Sequence, residues 1–405
     1  MTVREGERNR EPLVDELHSM LNEAPSNAHQ RERRLLEQLT GHPNAPVVLY
    51  GAGNLGRRTL ALLRTRGRDV AAFIDNDRAR WGTTLDGVPV MSVVDATAAF
   101  ADGGLVIVTI WRAEGGHDFL VTRHDLRERG WPWVESFIPL FWGFGSDALP
   151  YIAIDLPTNV LRARDVVLAG AKLWSDERSL REYVGQTRWR LTGDFDALSP
   201  PEPNQYFADG VVHASSDEVF VDCGAFTGDT LLDVTRRLGS WREYHAFEPD
   251  PASFDALTFV VASLPAPLAE RVHLYRAATV DRAGTAHFSA IGMGSAQLSN
   301  AGEIQVDCVA IDDVLTDVPP TFVKMDIEGS ESAALTGATR AIRMGRPLLA
   351  VSAYHKQADL WELASQIHVM APDYLLFLRP HVPEGFDTVL YAVPPERLVR
   401  DRHAA

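Results

Sequence analysis

Three motifs in a fixed order constrain the fold of this chain more than any other feature. They are Val219-Phe-Val-Asp222-Cys-Gly224-Ala-Phe-Thr-Gly228-Asp229-Thr230, then Phe247-Glu248-Pro249-Asp250, then Val323-Lys-Met-Asp326-Ile-Glu328-Gly329-Ser-Glu331. Val219 to Val221 is an apolar run of the kind found in buried parallel strands, and Leu231, Leu232, Val234, Thr235 and Leu238 follow at helical spacing. The first motif therefore joins a strand to a helix. Gly224 and Gly228 let the backbone turn sharply and let a bulky ligand lie against it. A loop at the carboxyl end of such a strand is where open α/β sheets bind ligands.

The residue types narrow the ligand. Asp222 and Asp229 would repel a pyrophosphate, whereas an ammonium or a sulfonium would be attracted. Tyr244, Ala246 and Phe247 predict a short strand ending at Glu248, an acid placed to accept hydrogen bonds from two ribose hydroxyls. Pro249 and Pro251 suit a turn into a helix that Phe254, Leu257, Val260 and Val261 would pack down. A strand near Val272 to Tyr275 ends at Arg276-Ala277-Ala278, where an adenine is expected. Together these describe a site for S-adenosylmethionine, held by Asp222, Gly224, Ala225, Gly228, Asp229, Thr230, Glu248, Pro249, Arg276, Ala277, Ala278 and Asp326. The competing reading is an ordinary α/β domain with glycine turns and no ligand.

With Ile311-Asp312-Asp313-Val314-Leu315, Lys324-Met-Asp-Ile-Glu-Gly-Ser-Glu331 and Ala334-Leu335-Thr-Gly337-Ala338 added, about the last half of the chain resembles the FkbM family of S-adenosylmethionine-dependent methyltransferases. The resemblance implies a class I seven-stranded Rossmann-like α/β fold. It also implies O-methylation of a hydroxyl on a sugar, polyketide or related natural product, without naming the acceptor.

Charge and cysteine content agree with a small hydroxylated acceptor. Lys plus Arg number 39 against 55 Asp plus Glu, a net charge of -16, which disfavours nucleic acid as a partner. The two cysteines, Cys223 and Cys308, each lie in an apolar run and read as buried thiols in a reducing cytoplasm. No signal-peptide pattern opens the sequence and no apolar stretch approaches the ~20 residues of a membrane span.

The 405 residues are enough for two core-forming domains. Residues 1–40 read as a helical arm, with Leu13, Val14, Leu17, Met20 and Leu21 at helical spacing, that packs on the body or on a second subunit of a homo-oligomer. Residues 41–148 read as a separate Rossmann-like domain. There a strand, Val47 to Tyr50, meets the Gly51-Ala-Gly53-Asn-Leu-Gly56 turn and a helix with Leu55, Leu60 and Leu63, and a second strand, Val70 to Ile74, ends at Asp75. Leu105 to Thr109 adds a further strand, and Leu85-Asp-Gly87-Val-Pro89-Val90 a hairpin. Gly51, Gly53, Gly56 and Asp75 are a candidate site for NAD or a nucleotide sugar, although such glycines also serve helix-to-strand packing alone.

Trp131, Trp133, Phe137, Phe141, Trp142 and Phe144 are expected to seal the domain boundary, the alternative being an aromatic wall toward substrate. Residues 149–208 read as a helical connector, with Leu161, Val166, Leu168 and Leu173 apolar and Asp176 to Ser179 opening another helix. Residues 209–405 form the methyltransferase domain.

Within that domain, Phe322 to Met325 predicts a strand presenting Asp326, and Ser330 to Ile342 a helix with Ala334, Leu335, Ala338 and Ile342 on one face. Leu348 to Ser352 predicts a strand running into Tyr354-His355-Lys356, and a helix with Leu360, Leu363, Ala364 and Ile367 follows. Tyr374 to Leu378 and Thr388 to Val393 would close the sheet as an antiparallel pair, with Arg379 and His381 in the loop between them. Methyl transfer to a hydroxyl needs alignment, removal of a proton and exclusion of water.

Asp326 qualifies for proton removal by position, and His355 and His381 by an intrinsic pKa near neutrality. The expected arrangement has Asp326 holding the acceptor hydroxyl and His355 as base. Glu328 and Glu331 bind substrate or start the next helix, the latter being preferred for Glu331. No metal is expected. Mg²⁺ on Asp326 and Glu328 is the rival, weakened because the strand ending at Ser352 leads to Tyr-His-Lys and not to another carboxylate. A second class of function is also compatible, a regulatory or scaffold protein that binds nucleotide and S-adenosylmethionine without turnover.

Overall fold

The computed structural model describes residues 3–42, 45–111, 117–289, 297–298 and 304–398, which form three sheets and their flanking helices. The first sheet is built from β1 (Val47–Tyr50), β2 (Ala72–Ile74), β3 (Thr84–Leu85), β4 (Val88–Met91), β5 (Leu105–Val108) and β6 (Trp133–Ser136), in the order β3-β4-β2-β1-β5-β6. All its pairings are parallel except β3 with β4. That hairpin turns through Asp86 and Gly87, both at positive φ (51° and 82°), as a tight two-residue hairpin turn requires.

The amino-terminal arm is two helices, Val3–Leu21 and Pro25–Gly41, with Pro25 opening the second. Leu13, Leu17 and Leu21 are buried, and the first helix packs along Glu177–Thr192 while the second packs on Phe137–Phe144. Arg31 Nε donates to the Leu191 carbonyl at 2.7 Å, so the arm is fastened to the body. The connector contains the helices Pro157–Arg162, Arg164–Gly170 and Glu177–Thr192, the last capped by Asp176, which accepts from Ser179 N at 2.8 Å. Val160, Val167, Leu180 and Tyr183 are among its buried residues, and Val166 is exposed. The first two helices meet at Ala163.

The aromatic residues lie at the junction of the two α/β units. Trp131, Phe137, Phe141, Trp142 and Phe144 are buried in one cluster with Trp189, Tyr354 and Phe386, and Trp111 lies 4.4 Å from Phe386. Trp133 departs from the group: it faces outward on β6, whose residues alternate exposed and buried.

The large sheet starts with β7 (Val219–Cys223), β8 (Glu243–Phe247) and β9 (Val272–Tyr275). Between β9 and the next large-sheet strand the chain lays down β10 (Ala277–Thr279), β11 (Gly284–Ser289), β12 (Gln297–Leu298) and β13 (Ile304–Val309), a separate sheet ordered β10-β13-β11-β12. The large sheet is completed by β14 (Phe322–Met325), β15 (Leu348–Ser352), β16 (Leu375–Pro380) and β17 (Thr388–Val393), giving the order β16-β17-β15-β14-β7-β8-β9. β17 is antiparallel to both neighbours. From β7 the chain moves one way through β8 and β9, and from β14 the other way to β15. The β7/β14 border is therefore the switch point where α/β sheets open a ligand crevice.

Two placements differ from the sequence reading. Ala277 and Ala278 are buried in β10, paired with Asp307 and Cys308, and only exposed Arg276 lies at the crossing between sheets. Arg379 is not in a loop: it is the fifth residue of β16, buried, with its guanidinium paired to Asp176 at 2.5 Å and to Glu202 at 3.5 Å. Cys223 and Cys308 are buried free thiols. Among the described residues no helix is long and apolar enough to cross a membrane.

Candidate active site

The first and third motifs touch through a glycine. Gly224 has φ +80°, and a Cβ there would lie 1.9 Å from the Asp326 carbonyl oxygen. No other residue fits. Gly224 N and Ala225 N both donate to the Phe247 carbonyl at 3.0 Å, which ties the loop to the end of β8. Gly228, at φ +92°, precedes the helix Asp229–Leu238. Asp229 and buried Thr230 form that helix's first turn, and burial pushes the Asp229 carboxyl up. Phe226, also at positive φ, leaves its ring half exposed on the same loop.

Glu248 follows β8 directly. Its Oε2 accepts from Phe226 N and its Oε1 from Asp250 N, each at 2.8 Å. A buried carboxylate held by one amide per oxygen is rigid, yet each oxygen keeps further acceptor capacity. Burial pushes its pKa up, and the two backbone hydrogen bonds oppose this. Pro249 carries the chain into the helix Pro251–Ser263, which Asp250 caps.

Asp222 is placed differently from the expectation that it holds the cationic end of a ligand. It is fully buried, with Oδ1 3.0 Å from Lys324 Nζ and Oδ2 accepting from the Tyr244 hydroxyl at 2.7 Å. Lys324 Nζ donates in turn to the Gly224 carbonyl at 2.6 Å. Burial opposes charge on Lys324, but Asp222, Asp326 and Asp229 raise its pKa above the usual lysine value. The Asp222 charge is thus spent inside the fold, where it props the Gly224 loop.

At the end of β14, Asp326 Oδ2 accepts from the Tyr206 hydroxyl at 2.6 Å, and Oδ1 lies 3.3 Å from His355 Nε2. Burial pushes this carboxyl up, but the charges of His355 and Lys324 and the Tyr206 hydrogen bond outweigh it and hold it ionised. His355 is buried just beyond β15, with Nδ1 2.8 Å from Glu331 Oε1 and Nε2 3.7 Å from Glu328 Oε2. Burial pushes the ring down, but Glu331, Asp326 and Glu328 overcome this and raise it to about 10. The expectation of a neutral imidazole near pH 7 therefore fails here: Glu331 and Asp326, one on each ring nitrogen, keep it charged.

Glu331 does open a helix, Glu331–Thr336, but its fully buried carboxylate turns back to accept from Ile327 N at 3.0 Å and to hold His355. Glu328 sits at φ +55°, a left-handed backbone that costs a non-glycine residue ~1–3 kcal/mol. Burial pushes its carboxyl up to about 8. His381 stands apart from this cluster. Its Nδ1 lies 2.9 Å from the Glu202 carbonyl and its Nε2 2.7 Å from the Tyr391 hydroxyl, and burial pushes it down to about 4.

Sequence reasoning did not single out Lys324, Tyr206, Tyr354 or Asp387. Tyr354 is buried with its ring 4.2 Å from that of His355, and burial pushes the Asp387 carboxyl up to about 6. Lys324 had a signal, a lone charge inside the apolar run Phe322 to Met325. Tyr206 had none, since it reaches Asp326 from an irregular segment. Asp326, Glu331 and His355 have ligand atoms within 4.8 Å of one another. The imidazole offers a different nitrogen to each carboxylate, which is the geometry of a doubly paired imidazolium and not of a shared metal ligand. In the first sheet, a Cβ on Gly56 would meet the Gly51 carbonyl oxygen at 2.0 Å, whereas Gly53 faces open space. Asp75 accepts from Ala52 N at 3.1 Å and from Asp77 N at 2.8 Å, and Arg80 lies 3.5 Å away.

Comparison with known proteins fits this geometry. The family model described as Methyltransferase FkbM domain matches residues 222–379. Among solved structures the chain is similar to the methyltransferase FkbM from Methylobacillus flagellatus KT, at 24% identity and a TM-score of 0.77, covering 95% of this chain and 100% of that one. That likeness shows the fold. A precorrin 8w decarboxylase from Methanobacterium thermoautotrophicum is 15% identical over 44% of this chain and 81% of that one, and its TM-score of 0.25 carries no argument. No curated protein matches the chain. Residues 222–379, from Asp222 in β7 to Arg379 in β16, hold Asp229, Glu248, Asp326, Glu328 and Glu331 and match the methyltransferase FkbM domain.

Proposed function

We propose that this chain is an S-adenosylmethionine-dependent O-methyltransferase acting on a hydroxyl of a sugar, polyketide or other natural-product metabolite. One observation carries the reading. At a single sheet switch point, a carboxylate pinned for ribose, Glu248, stands beside a glycine loop that abuts the backbone of an ionised acid, Asp326.

The residues fit the cofactor. Glu248 retains acceptor capacity for ribose hydroxyls, and the Gly224–Gly228 loop with Ala225, Asp229, Thr230 and Pro249 would hold the rest, with Arg276 on the adenine side. When bound, S-adenosylmethionine supplies an electrophilic methyl group on a sulfonium. Asp326 accepts the hydrogen bond of the acceptor hydroxyl and then its proton. A weakly basic carboxylate suffices, because the hydroxyl becomes strongly acidic as its oxygen is alkylated. His355 keeps Asp326 ionised by remaining a cation next to it, and Glu331 Oε1 fixes the ring through Nδ1. Tyr206 and Tyr354, both buried, limit water around Asp326. His355 thus becomes a positioning residue and Asp326 the base. This scheme requires neither a metal nor NAD. The partner is a small hydroxylated molecule, and two buried free thiols suit a reducing cytoplasm.

The test is incubation of the full chain with methyl-labelled S-adenosylmethionine and a pool of hydroxylated metabolites, with and without EDTA. Wild type should yield labelled product in both, and Asp326→Asn should lower turnover by ~10²–10⁴. A folded wild-type protein that binds the donor but labels nothing would favour the regulatory reading. Activity abolished by EDTA and restored by Mg²⁺ would move the acids to metal ligation.

A further inference from the structure

A second group of metal-ligating side chains lies away from the acids just described, on the face of the two strands at one edge of the large sheet. Glu243 and His245 are two apart on β8 and so project to the same side. His273 on β9 is the register partner of His245. The two imidazoles stack at 4.6 Å with 17° between their planes. Both Nε2 atoms converge on one carboxylate oxygen, Glu243 Oε2, at 3.0 Å from His245 and 3.8 Å from His273.

We propose that Glu243, His245 and His273 form a zinc site. A tetrahedral zinc ion with bonds of ~2.0–2.1 Å holds its ligand atoms about 3.3 Å apart, and the two observed separations bracket that value. The donor set, two imidazole nitrogens and one carboxylate oxygen, suits Zn²⁺ and not Mg²⁺ or Ca²⁺, which take oxygen. The other ring nitrogen of His245 lies 3.1 Å from the Tyr275 hydroxyl, a partner of the kind that orients a metal-bound histidine. His245 is buried while His273 is 45% exposed on its side chain, which leaves an entry path and a fourth position for water.

The position gives the site a purpose. His245 precedes Glu248 by three residues and His273 precedes Arg276 by three. An ion between them clips the edge strand β9 to β8 just before the ribose acid and the adenine segment.

The test is calorimetric titration of chelator-treated full-length protein with Zn²⁺ alone, repeated on His273→Ala and Glu243→Gln, both partly exposed positions where folding is not at risk, and on His355→Ala. One ion per chain is expected. Affinity should fall at least tenfold in His273→Ala and in Glu243→Gln and stay unchanged in His355→Ala. Co²⁺ in place of zinc should give the visible absorption of a tetrahedral site in wild type and lose it in His273→Ala. Absence of zinc binding, equal affinity in His273→Ala, or zinc lost only in His355→Ala would each overturn the proposal.

Discussion

Replacing Glu331 by Gln should turn His355 from a fixed cation into a ring that titrates near neutrality. Burial alone would push the ring down, and Glu331, fully buried with its oxygen 2.8 Å from Nδ1, is the strongest of the three acids that raise it to about 10. The gap between the ordinary ~6.5 and that value corresponds to ~5 kcal/mol of preference for the charged ring. Gln keeps the shape and an oxygen for Ile327 N but carries no charge, so the ring's pKa should fall from about 10 toward neutrality.

The sign for stability follows from linkage. Because the folded pKa lies above the unfolded one, the paired charge stabilises the chain fully below pH ~6.5, and that contribution is lost as pH rises toward 10. In Glu331→Gln the loss should come earlier and be smaller. The assay is NMR titration of the His355 Cε1–H resonance, assigned by its disappearance in His355→Ala, alongside denaturant unfolding across pH 6 to 10. A wild-type ring titrating between 6 and 7 would refute the assignment of charge. A Glu331→Gln ring still titrating near 10 would show that Asp326 and Glu328 hold the proton by themselves.

Gly224→Ala places a methyl 1.9 Å from the Asp326 carbonyl oxygen at φ +80°. It should destabilise the fold by at least ~2 kcal/mol in denaturant unfolding and slow methyl transfer by displacing Asp326; unchanged stability would contradict the close approach. Lys324→Met strands the buried Asp222 carboxylate and should cost ~3–5 kcal/mol. The double variant with Asp222→Asn should recover most of that loss, and no recovery would mean the pair is not the cause. Adding NAD or NADH should leave methyl transfer unaltered, since passing a methyl group from a sulfonium to a hydroxyl moves no hydride. A strict NAD requirement in cofactor-free enzyme would point to coupled oxidation instead.

The frame of the large sheet was legible because β7 and β15 are continuous apolar runs, and β14 one broken only by Lys324, leading to Asp222, Ser352 and Asp326, the pattern of strands buried on both faces. The sheet from β10 to β13 was not: β10 and β12 are short, and the longer β11 and β13 carry polar residues such as Thr285, His287 and Asp307, so no apolar run stands out. The acids of the crevice were legible as residues but not as charge states. An intrinsic pKa is local, whereas His355 is set by carboxylates from the loop after β14 and the helix beyond it. Asp222 was misjudged for the same reason, since its partner Lys324 becomes its neighbour only through the β7/β14 register. Tyr206 reaches Asp326 across 120 positions from a segment with no periodicity, and no local pattern could have found it.

Calorimetric titration of the full chain with S-adenosylmethionine and S-adenosylhomocysteine, wild type against Glu248→Ala, tests the central claim most directly. Glu248 is pinned by Phe226 N and Asp250 N and offers its remaining acceptor capacity to ribose. Wild type should bind one molecule per chain, and Glu248→Ala should lose ~1.5–3 kcal/mol for each charge-assisted bond removed, a weakening of roughly 10- to 150-fold per bond. Equal affinity in a folded Glu248→Ala protein would contradict the account.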